Sequence, residues 1–224
     1  MHQSPMGYYS DFIVYPLVIL GLAVTGALTV GADGAFRWMA ISLVCLALWT
    51  LIEYAMHRFV FHRMPYLKAL HRQHHTEERA LLGTPVWVSL FAHAALVFLP
   101  VLAIWDVASA TAATAGLMAG YLWYVTIHHL LHHRLSPNTG YLYQLKHRHA
   151  LHHHRSESCN FGVTSGFWDR LFNTSMTLAH RPGQQARVRS GPSDPAEPLT
   201  LVGDNMLGAP DRLTPQRSFK ERTL

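Results

Sequence analysis

The sequence predicts an all-α integral membrane protein, and three observations carry that prediction. Half of the residues are hydrophobic and 14% are charged, against about 25% charged in an ordinary soluble domain, which leaves too few charges to coat a soluble enzyme. Four stretches stay apolar over the roughly 20 residues that a helix needs to cross a bilayer. Fourteen of the 17 histidines fall in two blocks, 57–75 and 128–154, beside the ends of those stretches.

Taken in order, the expected spans are 12–32, 38–56, 86–105 and 107–127. The first and last carry no charge; the second holds Glu53 near its end and the third holds His93. Asp106 separates the third from the fourth, which demands a tight helical hairpin. No Lys or Arg occurs in the first ten residues, so the positive n-region of a signal peptide is missing. The short connections 33–37 and 105–107 contain Arg37 as their one basic residue. The segments that carry the histidines also carry Arg58, Arg63, Lys68, Arg72 and Arg79, then Arg134, Lys146, Arg148, Arg155 and Arg170. The positive-inside rule therefore places both histidine blocks and the N-terminus in the cytoplasm. That topology accounts for the net charge of +5, and no nucleic-acid partner is needed. Two cysteines, Cys45 and Cys159, exclude a disulfide scaffold or a cysteine-ligated zinc module. A membrane domain over 1–180 and a polar, disordered tail over 181–224, rich in Pro and Gly, complete the expected organisation.

The histidines form four boxes: His57 and His62; His71, His74 and His75; His128, His129, His132 and His133; and His149, His152, His153 and His154, preceded by His147. On a helix, positions i, i+3 and i+4 share a face. By that rule His71, His74 and His75 point together, as do His149, His152 and His153, and as do His128 and His132. His57 and His62 are five apart, about 140° around an ideal helix. They serve either two metals or one metal on a bent helix. Ten histidines are thus candidate ligands: His57, His62, His71, His74, His75, His128, His132, His149, His152 and His153. One ion takes about three to six such ligands, so ten imply two ions. Imidazole suits iron, copper, zinc and nickel. No Glu-x-x-His pair and no His-Glu-x-x-His occurs, which removes the carboxylate di-iron and zinc-protease readings.

Other readings of single residues stand beside this one. His93 alone in an apolar segment reads as a packed residue, and His2 and His180 as surface residues. His129, His133, His147 and His154 are expected to support ligands or structure, since ligating histidines need orienting partners. Glu53, a turn before His57, either bonds a ligating imidazole or pairs with Arg58. Asp169 and Glu157 are candidates for the same supporting role. Phe59, Phe61, Tyr66, Trp87, Tyr121, Trp123, Tyr124, Tyr141, Tyr143 and Trp168 read as an interfacial aromatic belt.

The order His-x4-His, His-x2-His-His, His-x3-His, His-x2-His-His resembles the fatty acid hydroxylase superfamily of membrane di-metal oxygenases, which includes sterol desaturases. Tyr121 to His132, Gly140 to Lys146 and Phe161 to Thr174 resemble its fatty acid 2-hydroxylase branch. The resemblance covers roughly 37–175. It implies four transmembrane helices under a helical cytosolic cap that holds a histidine-rich dimetal site, with the ten histidines as ligands of two iron ions. It further implies insertion of one oxygen atom from dioxygen into a lipid acyl chain at its alpha carbon, with two external electrons. Many eukaryotic members carry a fused b-type cytochrome domain before the first span, where this sequence has a short segment. The expectation is a separate donor, a ferredoxin or a b-type cytochrome with its reductase, and a bacterial inner membrane in preference to the endoplasmic reticulum. Zinc competes well for imidazole sites and is expected to be able to occupy them in purified protein.

Two alternatives remain at the level of sequence. The same site serves desaturation or hydroxylation of a sterol, carotenoid or other isoprenoid. A metal transporter or storage protein is the remoter one, because transporter ligands belong near the bilayer midplane and these boxes sit at span ends.

Overall fold

The computed structural model describes residues 2–134 and 139–177; the expected tail, 181–224, lies outside them. Among the described residues the elements are helices, with a lone β-bridge between His2 and Leu82. They are α1 (Pro5–Tyr9), α2 (Asp11–Ala55), a wide π turn (Met56–Phe61), α3 (Pro65–Thr76), α4 (Val86–His93), a second π turn (Ala94–Phe98), α5 (Leu99–Ile104), α6 (Val107–His133), α7 (Tyr141–His154) and α8 (Phe167–Leu171).

The first two expected spans are the arms of α2. No loop over 33–37 separates them. The chain reverses at Gly31, whose φ of 62° is open to glycine and strained for a side chain. Trp38 on the second arm then lies against Gly26 on the first. The hairpin between the third span and α6 is as tight as expected. Asp106 caps α6, its carboxylate accepting from the Ser109 N–H at 2.6 Å, and satisfies one of the N-terminal donors a helix leaves open. The same carboxylate meets Arg37 at 2.7 Å, which ties the two far-side turns together. In the third span the π turn precedes Pro100, a residue that cannot donate to the preceding helical turn.

Three stretches are long and apolar enough to cross a membrane: Pro5–Gly31, Gly34–Phe61 and Val86–Ile104. The fourth expected span differs in kind. α6 is long enough at 27 residues, but Ala, Gly and Thr dominate its first half and the stretch from Ser109 to Met118 is buried. A helix enclosed by protein has no lipid to satisfy, so small residues replace large apolar ones. A Cβ added at Gly116 would stand 2.2 Å from the Ser42 carbonyl oxygen, and one at Gly120 would stand 2.3 Å from the Trp49 Cβ. The four-residue spacing of the two glycines thus lets α6 lie directly on α2. Tyr15, Met118 and Tyr121 form a core with Trp49 and Leu90 between α2, α4 and α6. A second core, Ile127, Leu131, Leu145 and Val163, joins α6 to α7 and to the 160–164 loop. It stands beside the histidines and fixes the helices that carry them.

Candidate metal centre

The ten expected histidines converge at one end of the bundle. His57, His62, His71, His75 and His152 form one group and His74, His132, His149 and His153 form another; within each, the potential ligand atoms lie within 4.8 Å of one another. His128 joins the second group through its Nε2, 3.1 Å from that of His74. The groups abut, with His75 and His153 stacked at 4.1 Å between ring centroids.

The backbone explains this division. Between His57 and His62 the chain takes the π turn, whose hydrogen bonds run from i to i+5. It brings residues five apart onto one side, and the two rings sit 5.0 Å apart in one group. The helix is distorted there, as one of the two expected readings had it, and both rings fall in one group. The expectation that each His-x2-His-His box aims at a single target is corrected. In α3, His71 and His75 join the first group and His74 the second. In α7, His149 and His153 join the second group and His152 the first. Residues i and i+4 differ by about 40° around a helix, whereas neighbours differ by about 100°. Each of these helices therefore straddles the two groups, and α6 supplies its i, i+4 pair, His128 and His132, to the second alone.

The arrangement fits metal ions. Facing Nε2 atoms lie 3.0 Å apart in His57 and His71, 3.1 Å in His71 and His75, 3.1 Å in His62 and His152, and 2.8 Å in His132 and His149. Two ligands at about 2.1 Å from one ion are about 3.0 Å apart when at right angles. The His71 Nε2 faces two other Nε2 atoms at once, more than its one lone pair or proton can serve. His153 Nε2 is buried without a hydrogen-bond partner among the described residues. Converging lone pairs that no protein donor satisfies are what a cation would occupy.

Electrostatics keep these donors available. Burial, reinforced by the neighbouring imidazoles, lowers the pKa of His62 and His132 to about 4 and of His74 and His75 to about 3. His71, His149, His152 and His153 are shifted down for the same leading reason. All are neutral at pH 7, the form that binds metal.

Backbone carbonyls select the tautomer in the first group. The Nδ1–H of His152 donates to the Cys159 carbonyl at 2.7 Å, and that of His57 donates to the Phe161 carbonyl. Since a carbonyl only accepts, the bare nitrogen of each neutral ring is Nε2, aimed into the group. The sequence carries no sign of these partners, because a carbonyl belongs to every residue type.

The expected supporting residues divide. Glu53 bonds neither an imidazole nor Arg58. It accepts from the N–H groups of Val163 and Thr164 at 2.6 and 2.8 Å and from the Thr164 hydroxyl at 2.6 Å, while Arg58 donates to the Tyr54 hydroxyl. Asp169, fully buried, accepts from the N–H groups of Phe161 and Gly162 and from Arg148, and touches no imidazole. Glu157 lies 3.7 Å from His62 Nδ1. His154 reaches the centre through Glu78, whose carboxylate lies 3.3 Å from its ring and 3.2 Å from His153 Nδ1. Glu78 escaped the sequence reading, being one acid in a loop of mixed charge. His129 and His133 stack on each other beside Tyr8, and His147 stacks on Tyr143. None of these three joins a group. His93 bonds the Ser89 carbonyl and stacks on Trp49, the packed residue expected. Two members of the expected aromatic belt turn inward instead: Tyr121 is buried, and Tyr124 stacks on His128.

Comparison with known proteins identifies the family. The chain is 34% identical over 155 residues to a ceramide very long chain fatty acid hydroxylase of Schizosaccharomyces pombe, covering 63% of this chain and 44% of that one. It is 29% identical to a dihydroceramide fatty acyl 2-hydroxylase of Arabidopsis thaliana, covering 66% of each. It is 35% identical to the fatty acid 2-hydroxylase of Rattus norvegicus, covering 66% of this chain and 42% of that one. This chain thus spans under half the length of the yeast and rat relatives. These relatives are eukaryotic and lend no support to a bacterial inner membrane. A solved structure of full-length scs7p, in which only the hydroxylase domain is visible, superposes with a TM-score of 0.66 at 28% identity, covering 76% of this chain and 67% of that one. The protein-family model described as fatty acid hydroxylase matches residues 42–174, more than half of the chain and all ten histidines of the two groups. By that match, over more than half of its length, the chain belongs to the fatty acid hydroxylase family.

Proposed function

We propose that this chain is a membrane-bound hydroxylase of lipid acyl chains, acting at the alpha (2-) carbon of a fatty acid or sphingolipid acyl group. The observation that carries the reading is the pair of abutting histidine groups at one end of apolar helices. One iron ion is held by His57, His62, His71, His75 and His152, and the other by His74, His128, His132, His149 and His153. Bound iron supplies dioxygen activation and the oxidising power to break an unactivated carbon–hydrogen bond. Zinc can occupy the same imidazole sites in purified protein.

The protein's own part is positioning and exclusion of water. The three apolar stretches, with α6 crossing among them, receive the hydrocarbon from the bilayer, and the histidine end faces the cytoplasm. An acyl alpha carbon lies beside its carbonyl, near the interface, the depth at which α2 and α6 deliver His57 and His128. Tyr124 stacks on His128 of the second group. Electrons come from a separate donor, a ferredoxin or a b-type cytochrome with its reductase. The names of the relatives, which specify fatty acyl and ceramide hydroxylation, support this substrate class.

The test is mass spectrometry of acyl chains from a host that makes no 2-hydroxy lipids, expressing this chain or its His152→Ala variant. The expected result is one added oxygen at the alpha carbon, absent with the variant. Loss of two hydrogens would identify a desaturase. Unmodified acyl lipid after reconstitution with ferrous iron, dioxygen and a chemical reductant would overturn the reading.

A further inference from the structure

Four consecutive backbone N–H groups in the buried 160–164 loop end on two carboxylates. Those of Phe161 and Gly162 donate to Asp169 at 2.8 and 2.9 Å. Those of Val163 and Thr164 donate to Glu53 at 2.6 and 2.8 Å. Both carboxylates are buried, as are Asn160, Phe161, Val163 and Thr164. Glu53 comes from the end of α2 and Asp169 from α8, so the loop is gripped from two elements. Arg148 holds Asp169 at 2.9 Å with its guanidinium, and the Asn160 side chain donates to the Arg148 and Met176 carbonyls.

This loop is also where the first histidine group takes its orientation. Its carbonyl at Phe161 accepts from His57, and the carbonyl at Cys159, just before it, accepts from His152. A peptide unit is planar, so a fixed N–H fixes the carbonyl of the residue before it. The Gly162 N–H held by Asp169 fixes the Phe161 carbonyl. The Cys159 carbonyl shares its unit with the Asn160 N–H, which donates to the Thr174 carbonyl at 2.8 Å, and the Thr174 hydroxyl in turn donates to Asp169 at 2.8 Å. Buried carboxylates inside a bundle are costly and are retained where they satisfy donors that would otherwise be orphaned.

We propose that Glu53 and Asp169 are positioning residues for the first metal ion alone. By clamping the 161–164 N–H groups directly, and Asn160 through Thr174, they hold the segment whose Phe161 and Cys159 carbonyls set the tautomer and angle of His57 and His152. The second group takes no bond from this loop. His149 Nδ1 has no partner among the described residues, and the nearest acid to His153 is Glu78, on another segment.

The inference rests on the ligand assignment under Proposed function, and the test separates the two. Full-length chain is purified from membranes and titrated with ferrous iron against a chelator. His149→Ala retains the first site and His71→Ala retains the second. If either variant keeps two ions or none, the ligand assignment itself fails, and the inference falls with it. Given one ion in each, Glu53→Ala or Asp169→Ala is expected to weaken iron binding about 10–100-fold in the His149→Ala background. The same changes leave binding in the His71→Ala background unaltered, which also shows that the fold is intact. Glu53→Gln restores the first site, because its amide oxygen still accepts from Val163 and Thr164. Equal loss in both backgrounds, no loss in the first, or failure of Glu53→Gln to rescue would overturn the proposal.

Discussion

The two histidine groups use the same side chain but are held by different means. In the first, His57 and His152 each donate to a backbone carbonyl of a loop that is itself clamped. In the second, His149 Nδ1 lacks a partner among the described residues, and His153 lies against Glu78, which is partly exposed. Two rings of the first thus rest on buried backbone, while His75 Nδ1 lacks a partner among the described residues. Among the same residues no ring of the second bonds a backbone carbonyl, and that group rests on packing and one peripheral acid. Where a ligand's far nitrogen is fixed, the ring is preorganised; where it is free, part of the ordering cost falls at binding. The two groups are therefore expected to differ in how firmly they retain an ion.

The largest expected effect removes the comparison altogether. His74→Ala or His152→Ala should cut acyl hydroxylation by more than the roughly 10–100-fold that loss of an orienting partner costs, since each removes a direct ligand. Retained activity in either variant, measured by product mass spectrometry on protein still in the membrane, would break the assignment on that side. Next, Gly120→Leu places a side chain where Trp49 already stands. It should part α6 from α2 and lower the yield of folded protein, with both ions lost together, as read by metal content after detergent extraction.

A chelator sharpens the asymmetry. As its concentration rises, the second ion should leave first, so His71→Ala protein empties at lower chelator than His149→Ala protein. The reverse order would refute the argument from anchored tautomers. Acid should act on both groups. Their imidazoles have folded pKa values lowered to about 3–4 at His62, His74, His75 and His132, against about 6.5 when unfolded. Between those values the unfolded chain binds more protons, so stability is retained above about pH 6.5 and lost as pH falls toward 4. Thermal unfolding of metal-free protein from pH 8 to pH 4 checks the sign. The smallest effect is expected at His147→Ala, which removes a ring stacked on Tyr143 and should leave metal content at both sites unchanged.

Much of this was legible in the residues. The ten histidines were identifiable because imidazole is rare and costly to bury in such numbers without a use. The expectation of two metal sites came from counting them, and the structure sorts them into two groups. Membrane insertion followed from apolar length. Less legible was α6, which a scan for uncharged length equates with the other spans. Enclosure by neighbouring helices lets Ala, Gly and Thr stand where lipid would demand Leu and Ile, and enclosure is a property of the assembly.

The chemistry of the site and its place at the ends of apolar helices were thus set by residue type and spacing, which act locally. The sharing of each His-x2-His-His box between the two groups depends on where α3 and α7 lie between them. The pairing of His57 with His62 depends on a π turn that the neighbouring helices hold in place. The roles of Glu53 and Asp169 depend on a loop more than 100 residues from Glu53 in the chain, folded against it. Those relations join residues far apart along the backbone, and only packing in three dimensions brings their donors and acceptors within bonding distance.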